Sequence, residues 1–131
     1  MRLFIGIPLA SELASELAAL RQRLERPGDR LRWSAAESWH ITLQFLGATS
    51  ATQYECVVAG LGGIHRGAVP VDLETPGFFP RAGVFHVGVR TSPELIGLQR
   101  AVLAATAPCG FKPEDRPYSP HITLARNRGR D

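Results

Sequence analysis

Two histidines, each followed two residues later by a threonine, carry the chemistry that this sequence suggests. The tetrapeptide HITL occurs at residues 40–43 and again at 121–124. Side chains two apart on a β-strand point to the same face. His40 is therefore expected beside Thr42. His121 is expected beside Thr123 in the same way, while the isoleucine and leucine of each copy face the core.

Two imidazoles that meet across a cleft could perform general acid–base catalysis. Histidine titrates near neutrality, so one ring can accept a proton while the other donates one. Threonine hydroxyls can donate hydrogen bonds to phosphate oxygens without adding charge, and an arginine can neutralise the anion. The set suits cleavage of a phosphodiester without a metal ion: one histidine activates water and the other protonates the leaving alkoxide.

The histidines have two other interpretations. A single histidine on the wet face of a strand is most often an ordinary surface residue, and we interpret His65 and His86 in that way. His65 lies in a glycine-rich turn, and His86 has no threonine two residues later. Metal ligation at His40 and His121 is the weaker alternative, because no Asp, Glu or Cys stands within either motif to complete a ligand set. The repetition of residues, spacing and context favours a shared site.

The elements that must position the motifs follow from hydrophobic periodicity. Strands are predicted at residues 3–7, 38–47, 69–75, 84–90 and 121–126. Three amphipathic helices lie between them: one over residues 11–25, one that begins at a capping box of Ser50 and Gln53, and one that begins at Ser92-Pro93. This order predicts an α+β or α/β domain in two related lobes.

Strict alternation on the first motif strand assigns its apolar residues to one face. That set is Trp39, Ile41, Leu43 and Phe45. Phe45 is therefore predicted to lie in the core. Phe79 and Tyr118 lie in turn-rich loops, so they are the freer candidates for stacking on a nucleobase.

Bulk composition bounds the class of protein. The chain has 131 residues, 44% hydrophobic and 21% charged, as expected of one globular domain. No apolar run reaches the length of a membrane span and no signal peptide is evident, so a cytoplasmic protein is predicted. The net charge of +3 weakly favours anionic partners. Arginines crowd the C-terminal stretch, at positions 116, 126, 128 and 130.

The two cysteines, Cys56 and Cys109, lie far apart in the sequence and outside any CxxC pattern. A disulfide or a zinc site is therefore predicted to be absent. Cys56 falls within a predicted helix, where a small buried apolar role is expected.

With both motifs identified, nearly the whole chain resembles the two-histidine phosphoesterase superfamily. More closely, it resembles the RNA 2′,3′-cyclic phosphodiesterases, also called 2′-5′ RNA ligases. The resemblance is carried by three stretches of sequence: MRLFIGIPL, RWSAAESWHITLQFLG and GFKPEDRPYSPHITLAR. The last is the most specific, because the basic, proline-bearing loop, the Pro-His pair and the arginine five residues after the histidine all recur.

The resemblance implies an α+β fold in which two pseudo-symmetric lobes of antiparallel-rich sheet, with flanking helices, enclose a central cleft. It implies hydrolysis of RNA 2′,3′-cyclic phosphate ends to 2′-phosphates without a metal or other cofactor, and reversible 2′-5′ ligation. His40 would protonate the leaving 3′ oxygen and His121 would activate water, although the pseudo-symmetry allows the converse. The phosphate would be bound by Thr42, Thr123 and Arg126. Strict alternation places Arg126 on the face opposite His121, so it reaches the phosphate only if the strand ends, twists or bulges there.

The resemblance also bounds the domain and its partners. Residues 1–131 are expected to form one two-histidine phosphoesterase domain with interleaved lobes, from which the C-terminal part of the family fold is missing. The expected ligand is RNA with a 2′,3′-cyclic phosphate end or a small cyclic nucleotide. No membrane partner is expected. The protein is expected to be a monomer, or a dimer where the short C-terminus leaves a sheet edge open.

Two alternative functions stay open. One is phosphodiesterase activity on another cyclic phosphate, derived from a nucleotide or from ADP-ribose. The other is a non-catalytic module that binds RNA ends or nucleotides. Binding alone would not require both histidines.

Overall fold

The computed structural model describes residues 1–79 and 83–127 and forms one connected sheet with three α-helices over the described residues. In chain order the strands and helices are β1 (Arg2–Pro8), α1 (Ser11–Leu24), β2 (Leu31–Trp33), β3 (His40–Ala48), α2 (Ala51–Gly62), β4 (Leu73–Phe79), β5 (Val84–Val89), α3 (Pro93–Thr106) and β6 (His121–Asn127). Two short 3₁₀ turns cover Ala36–Ser38 and Ala107–Cys109. Arg128 and Arg130, two of the C-terminal arginines noted in the sequence, lie outside the described residues.

All the pairings of the described strands are antiparallel, in the order β1-β3-β6-β5-β4, with β2 also paired to β6. The β1–β3 half meets the β4–β5–β6 half at a single pairing, Ile41 with Ile122. Both residues are fully buried. The two motif strands are therefore neighbours where their motifs begin, and the two halves diverge from that point. The predicted α+β class is confirmed.

Helix ends follow the sequence signals closely. Ser50 accepts from the backbone N–H of Gln53, whose side chain in turn accepts from the N–H of Ser50, so the predicted capping box is present. Ser92 caps α3 with Pro93 in the first turn, also as predicted. The helices cover the apolar face of the sheet, and the core contains, among others, Leu17, Ile41, Leu95, Val102, Ile122 and Leu124.

Two predictions about strands were wrong. The short strand β2 was not predicted, although Trp33 packs against the core from it. β4 begins at Leu73 rather than at residue 69, and it extends to Phe79, which was predicted to lie in a turn-rich loop. Among the described strands β4 pairs only with β5, at the end of the sheet, and a register shift lies between Leu73 and Pro76, so the missing N–H of Pro76 is tolerated.

The prediction that the cysteines are unpaired was also wrong. Cys56 on α2 and Cys109 in the turn after α3 form a disulfide, with Cα atoms 5.8 Å apart. The sequence separation of 53 said nothing about this distance, because α2 packs against α3 in the fold and brings the two positions together. Gln53 supports the same junction by donating to the carbonyl of Cys109 at 3.3 Å.

Within the described residues, no helix is both long enough and apolar enough to cross a membrane.

A candidate phosphodiester site between two histidine strands

His40 is held in a defined orientation at the start of β3. Its Nδ1 lies 2.7 Å from the carbonyl oxygen of Ser38, and its Nε2 lies 3.1 Å from the hydroxyl of Thr42. A carbonyl oxygen only accepts, so Nδ1 carries the proton and donates it to Ser38. Nε2 is therefore the nitrogen left for chemistry. The ring of Phe4 stacks on the imidazole at a centroid distance of 4.5 Å.

His121 is oriented by the same device at the start of β6. Its Nδ1 lies 2.9 Å from the carbonyl oxygen of Ser119, two residues earlier. The same argument assigns the proton to Nδ1 and leaves Nε2 as the reactive nitrogen. Its ring and that of Phe79 form a T-shaped pair at a centroid distance of 5.1 Å.

The strand pairing brings the two motifs together. An antiparallel pair centred on Ile41 and Ile122 places the residues on either side of those positions on one common face. Thr42 then lies toward His121, and Thr123 lies toward His40. The pairing thus places a histidine and a threonine from each strand on one face of the sheet.

Tyr118 connects the loop before β6 to the first motif strand. Its hydroxyl donates to the backbone carbonyl of Thr42 at 2.7 Å. Burial raises the pKa of Tyr118 to about 12, so the hydroxyl keeps its proton at neutral pH. This bond links the loop before β6 to the first motif strand.

A β-bulge on β3 overturns the prediction for Phe45. β1 advances by one residue where β3 advances by two, from Thr42 to Gln44. Leu43 and Gln44 are both buried as a result, and Phe45 is 64% exposed. Phe45 does not lie in the core, because the bulge moves it to the face of Thr42, where its ring lies 6.2 Å from that of Phe4.

A bulge at the corresponding point of β6 changes the face of the strand on which Arg126 lies. β5 advances by one residue where β6 advances by two, from Thr123 to Ala125. Leu124 and Ala125 are both buried, and Arg126 is exposed. Arg126 therefore returns to the face that carries Thr123. Arg32 of β2 lies directly opposite Arg126 in the β2–β6 pair.

A cavity of about 500 Å³ lies beside His121. Its lining includes Glu74, Phe79, His86 and Tyr118. Phe79 and Tyr118, the predicted stacking candidates, thus border the site, although one face of Phe79 is already stacked on His86 at 3.8 Å. Their stacking on a base stays a prediction.

His86 is the site residue that the sequence interpretation missed. It pairs with Thr123 across β5 and β6, and its ring lies 5.5 Å from that of His121. Burial lowers the pKa of His86, and the nearby His121 lowers it further. The alternation of VFHVGV could have indicated this position, since it puts His86 and Gly88 on one face of a strand predicted next to the second motif. His65, by contrast, is exposed and lies outside this cavity.

Within the described residues, no group of three or more His, Cys, Asp or Glu side chains is arranged to hold a metal ion.

The fold is that of the two-histidine phosphoesterases. Comparison with known proteins agrees: the chain belongs to the 2′-5′ RNA ligase superfamily, whose family model matches residues 9–131.

Relatives of known name cover most of the chain. The RNA 2′,3′-cyclic phosphodiesterase of Escherichia coli strain K12 is 32% identical over 127 residues, which are 96% of this chain and 72% of that protein. The protein of the same name from Bacillus subtilis strain 168 is 30% identical, over 94% of this chain and 69% of that protein. The chain thus spans about seven-tenths of the length of these two relatives.

Solved structures agree on the fold. Apo LigT of E. coli has a TM-score of 0.83 at 31% identity and covers 99% of this chain and 74% of that one. The same protein complexed with 3′-AMP has a TM-score of 0.78 at 32% identity and covers 95% and 72% of the two chains. A protein of Thermus thermophilus, 24% identical, shares the fold with a TM-score of 0.83 and covers 100% and 76%.

Proposed function

We propose that this protein is an RNA 2′,3′-cyclic phosphodiesterase that hydrolyses cyclic phosphate ends to 2′-phosphates without a metal ion. The names of its relatives support this reaction class. The observation that carries the proposal is the matched orientation of His40 and His121. Each donates Nδ1–H to a carbonyl two residues earlier, and each keeps Nε2 for proton transfer.

In the proposed reaction, Nε2 of His121 takes a proton from water as the water oxygen attacks phosphorus. The bond between phosphorus and the 3′ oxygen breaks, and the electron pair stays on that oxygen. Protonated His40 then donates the proton on its Nε2 to the 3′ oxygen. One water is consumed, and the products are a 2′-phosphate and a free 3′ hydroxyl. Proton exchange with solvent returns both rings to their starting forms. Reversible 2′-5′ ligation would replace water by a 5′ hydroxyl in the first step.

The phosphate would be bound by Thr42, Thr123 and Arg126. The two hydroxyls lie on the face shared by the histidines, and the bulge on β6 returns Arg126 to that face. The guanidinium can form two hydrogen bonds to phosphate oxygens and offset charge that develops on them. Arg32 is directly opposite Arg126, and like charges at opposed positions destabilise a strand pair. An RNA phosphate between or beside the two guanidinium groups would relieve that repulsion.

A single incubation series tests the proposed reaction. An oligoribonucleotide with a 2′,3′-cyclic end, and the corresponding cyclic mononucleotide, are incubated with the protein in excess chelator. The products are then separated to distinguish 2′-phosphate from 3′-phosphate. We expect turnover that survives chelation and gives the 2′-phosphate. Loss of activity in chelator, or a 3′-phosphate product, would contradict the proposal.

The same series tests the alternatives. Faster turnover of an ADP-ribose-derived cyclic phosphate than of either RNA substrate would assign a different substrate. Tight binding of cyclic-ended RNA without turnover would assign a binding module. We propose that the functional unit is one domain and a monomer, and sedimentation at assay concentration checks the second point.

We propose a cytoplasmic location, as an RNA substrate implies. The Cys56–Cys109 disulfide counts against this location, because disulfides are rare in cytosolic proteins. Thiol alkylation in intact cells, followed by mass analysis of this chain, would show which state the pair has where the protein resides.

A further inference from the structure

His86 lies beside His121, and both side chains line the same cavity. It lies on the middle strand of the β4–β5–β6 half, opposite Thr123 on one side and Gly77 on the other. A methyl group at Gly77 would approach the His86 ring to 3.1 Å, so the glycine leaves the space in which the imidazole lies. Phe79 stacks on the ring at 3.8 Å and fixes its plane.

The two ring nitrogens of His86 have different surroundings. Nδ1 is sealed from solvent and has no hydrogen-bond partner among the described residues. The ring nevertheless lines the cavity, so Nε2 is the nitrogen that a ligand can reach. A second proton on the ring would have to lie on Nδ1, where an N–H group would be buried without an acceptor. The neutral ring with its single proton on Nε2 avoids this cost.

We propose that His86 is a third imidazole of the site, which stays neutral and donates an Nε2–H hydrogen bond to an oxygen of the bound phosphate. This inference rests on the proposed function for the identity of the ligand. It differs from the roles of His40 and His121, because His86 transfers no proton. It supplies a fixed donor without adding a positive charge beside His121.

The charged and titratable groups around His86 are consistent with a neutral donor. His121 faces it from β6, and Glu74 lines the same cavity from β4. Tyr118, in the loop before β6, also lines the cavity. Burial, the larger cause, and the proximity of His121 both lower the pKa of His86 and therefore favour the neutral ring. The Glu74 carboxylate lies beside Gly88, where a methyl group added to the glycine would be 3.4 Å from its Oε1.

Nuclear magnetic resonance tests the protonation state without any need for turnover. The protein contains four histidines, and ¹⁵N labelling with single variants assigns each ring. We expect His86 to show the neutral Nε2–H form at pH 7, with ring signals that move on addition of inorganic phosphate or 2′-AMP. A protonated His86 at pH 7, a proton on Nδ1, or signals that no phosphate ligand moves would overturn the proposal.

Kinetics with paired variants tests the donor itself. His86→Phe keeps the stack on Phe79 and removes the donor, whereas His86→Gln keeps an N–H donor. His65→Phe is the matched control, since His65 is exposed and outside the cavity. A hydrogen bond to a charged oxygen predicts a loss of roughly 10- to 100-fold in kcat/KM for His86→Phe. His86→Gln should recover part of it, and both limbs of the pH profile should persist.

Equal kinetics for parent and His86→Phe would overturn the donor role, as would a larger loss in His86→Gln than in His86→Phe. An inactive parent would count against the proposed function instead, and the phosphate titration would still decide whether His86 binds the anion.

Discussion

The two HITL strands have the same backbone design and different surroundings. In both, the histidine is oriented by a carbonyl two residues earlier, and a bulge beside the leucine returns the residue five after the histidine to the site face. That residue is Phe45 on β3 and Arg126 on β6. At this position the first half of the site thus presents an aromatic ring and the second half a cation. The repeat gives the two strands the same backbone geometry, and the side chains that follow the repeat differ between them.

The disulfide between α2 and the end of α3 is expected to make the largest contribution to stability. Replacement of Cys56 and Cys109 by serine removes a link between α2 and the end of α3, across a sequence separation of 53. A cross-link of that length predicts a loss of about 2–4 kcal/mol in the free energy of unfolding, measured by urea titration. The parent is measured with and without reductant as the control, and with reductant its free energy of unfolding should approach that of the double variant. Equal stability of the parent and the double variant would contradict the predicted contribution of the bond.

The fifth position of each motif is the sharpest contrast between the halves. Arg126→Gln should lower kcat/KM by roughly 10- to 100-fold, mainly through KM, because it removes a charged donor to phosphate. Phe45→Leu at the matching position removes no charge, so KM should depend on salt concentration as it does in the parent. If the two variants behave alike, the halves do not differ in the way that their flanking residues indicate.

The threonines should differ by less. Thr42→Val removes a phosphate donor and the contact with Nε2 of His40, whereas at Thr123 no corresponding contact to His121 is present among the described residues. We expect a loss of about tenfold in kcat/KM for Thr42→Val and a smaller one for Thr123→Val, with unchanged thermal midpoints. The reverse order would contradict the asymmetry.

The smallest expected effect is at the bond between the halves. Tyr118→Phe removes the donor to the Thr42 carbonyl and should cost about 1 kcal/mol of stability at neutral pH. The folded state also raises the pKa of Tyr118 to about 12. Its contribution is therefore complete below about pH 10 and is lost as pH rises from there toward 12. The variant should show less alkaline destabilisation over that window, and equal pH dependence would contradict this role.

Sequence patterns predict the elements of this fold well and their irregularities poorly. Caps at Ser50 and Ser92 depend on neighbours within a few residues, so local signals suffice. The bulges depend on how many residues the partner strand has between pairings, which no single strand records. Phe45 was therefore assigned to the wrong face, and the face of Arg126 was left conditional.

The misjudged residues have the same origin. His86 becomes part of the site because β5 pairs with β6, and Cys56 meets Cys109 because α2 packs on α3. Both are long-range contacts that spacing along the chain does not encode. The pairing of the two motifs could be predicted because their repetition is itself visible in the sequence.

The central claim is that His40 and His121 form one acid–base unit, and a double-mutant cycle tests it most directly. The values of kcat/KM for a cyclic-ended oligoribonucleotide, in excess chelator, are measured for the parent, His40→Ala, His121→Ala and the double variant. We predict that each single variant loses about 10²- to 10⁴-fold. We also predict that the double variant is no slower than the slower single one, since groups that act as a unit are not additive. Parent activity in either single variant, or losses that multiply in the double variant, would contradict the account.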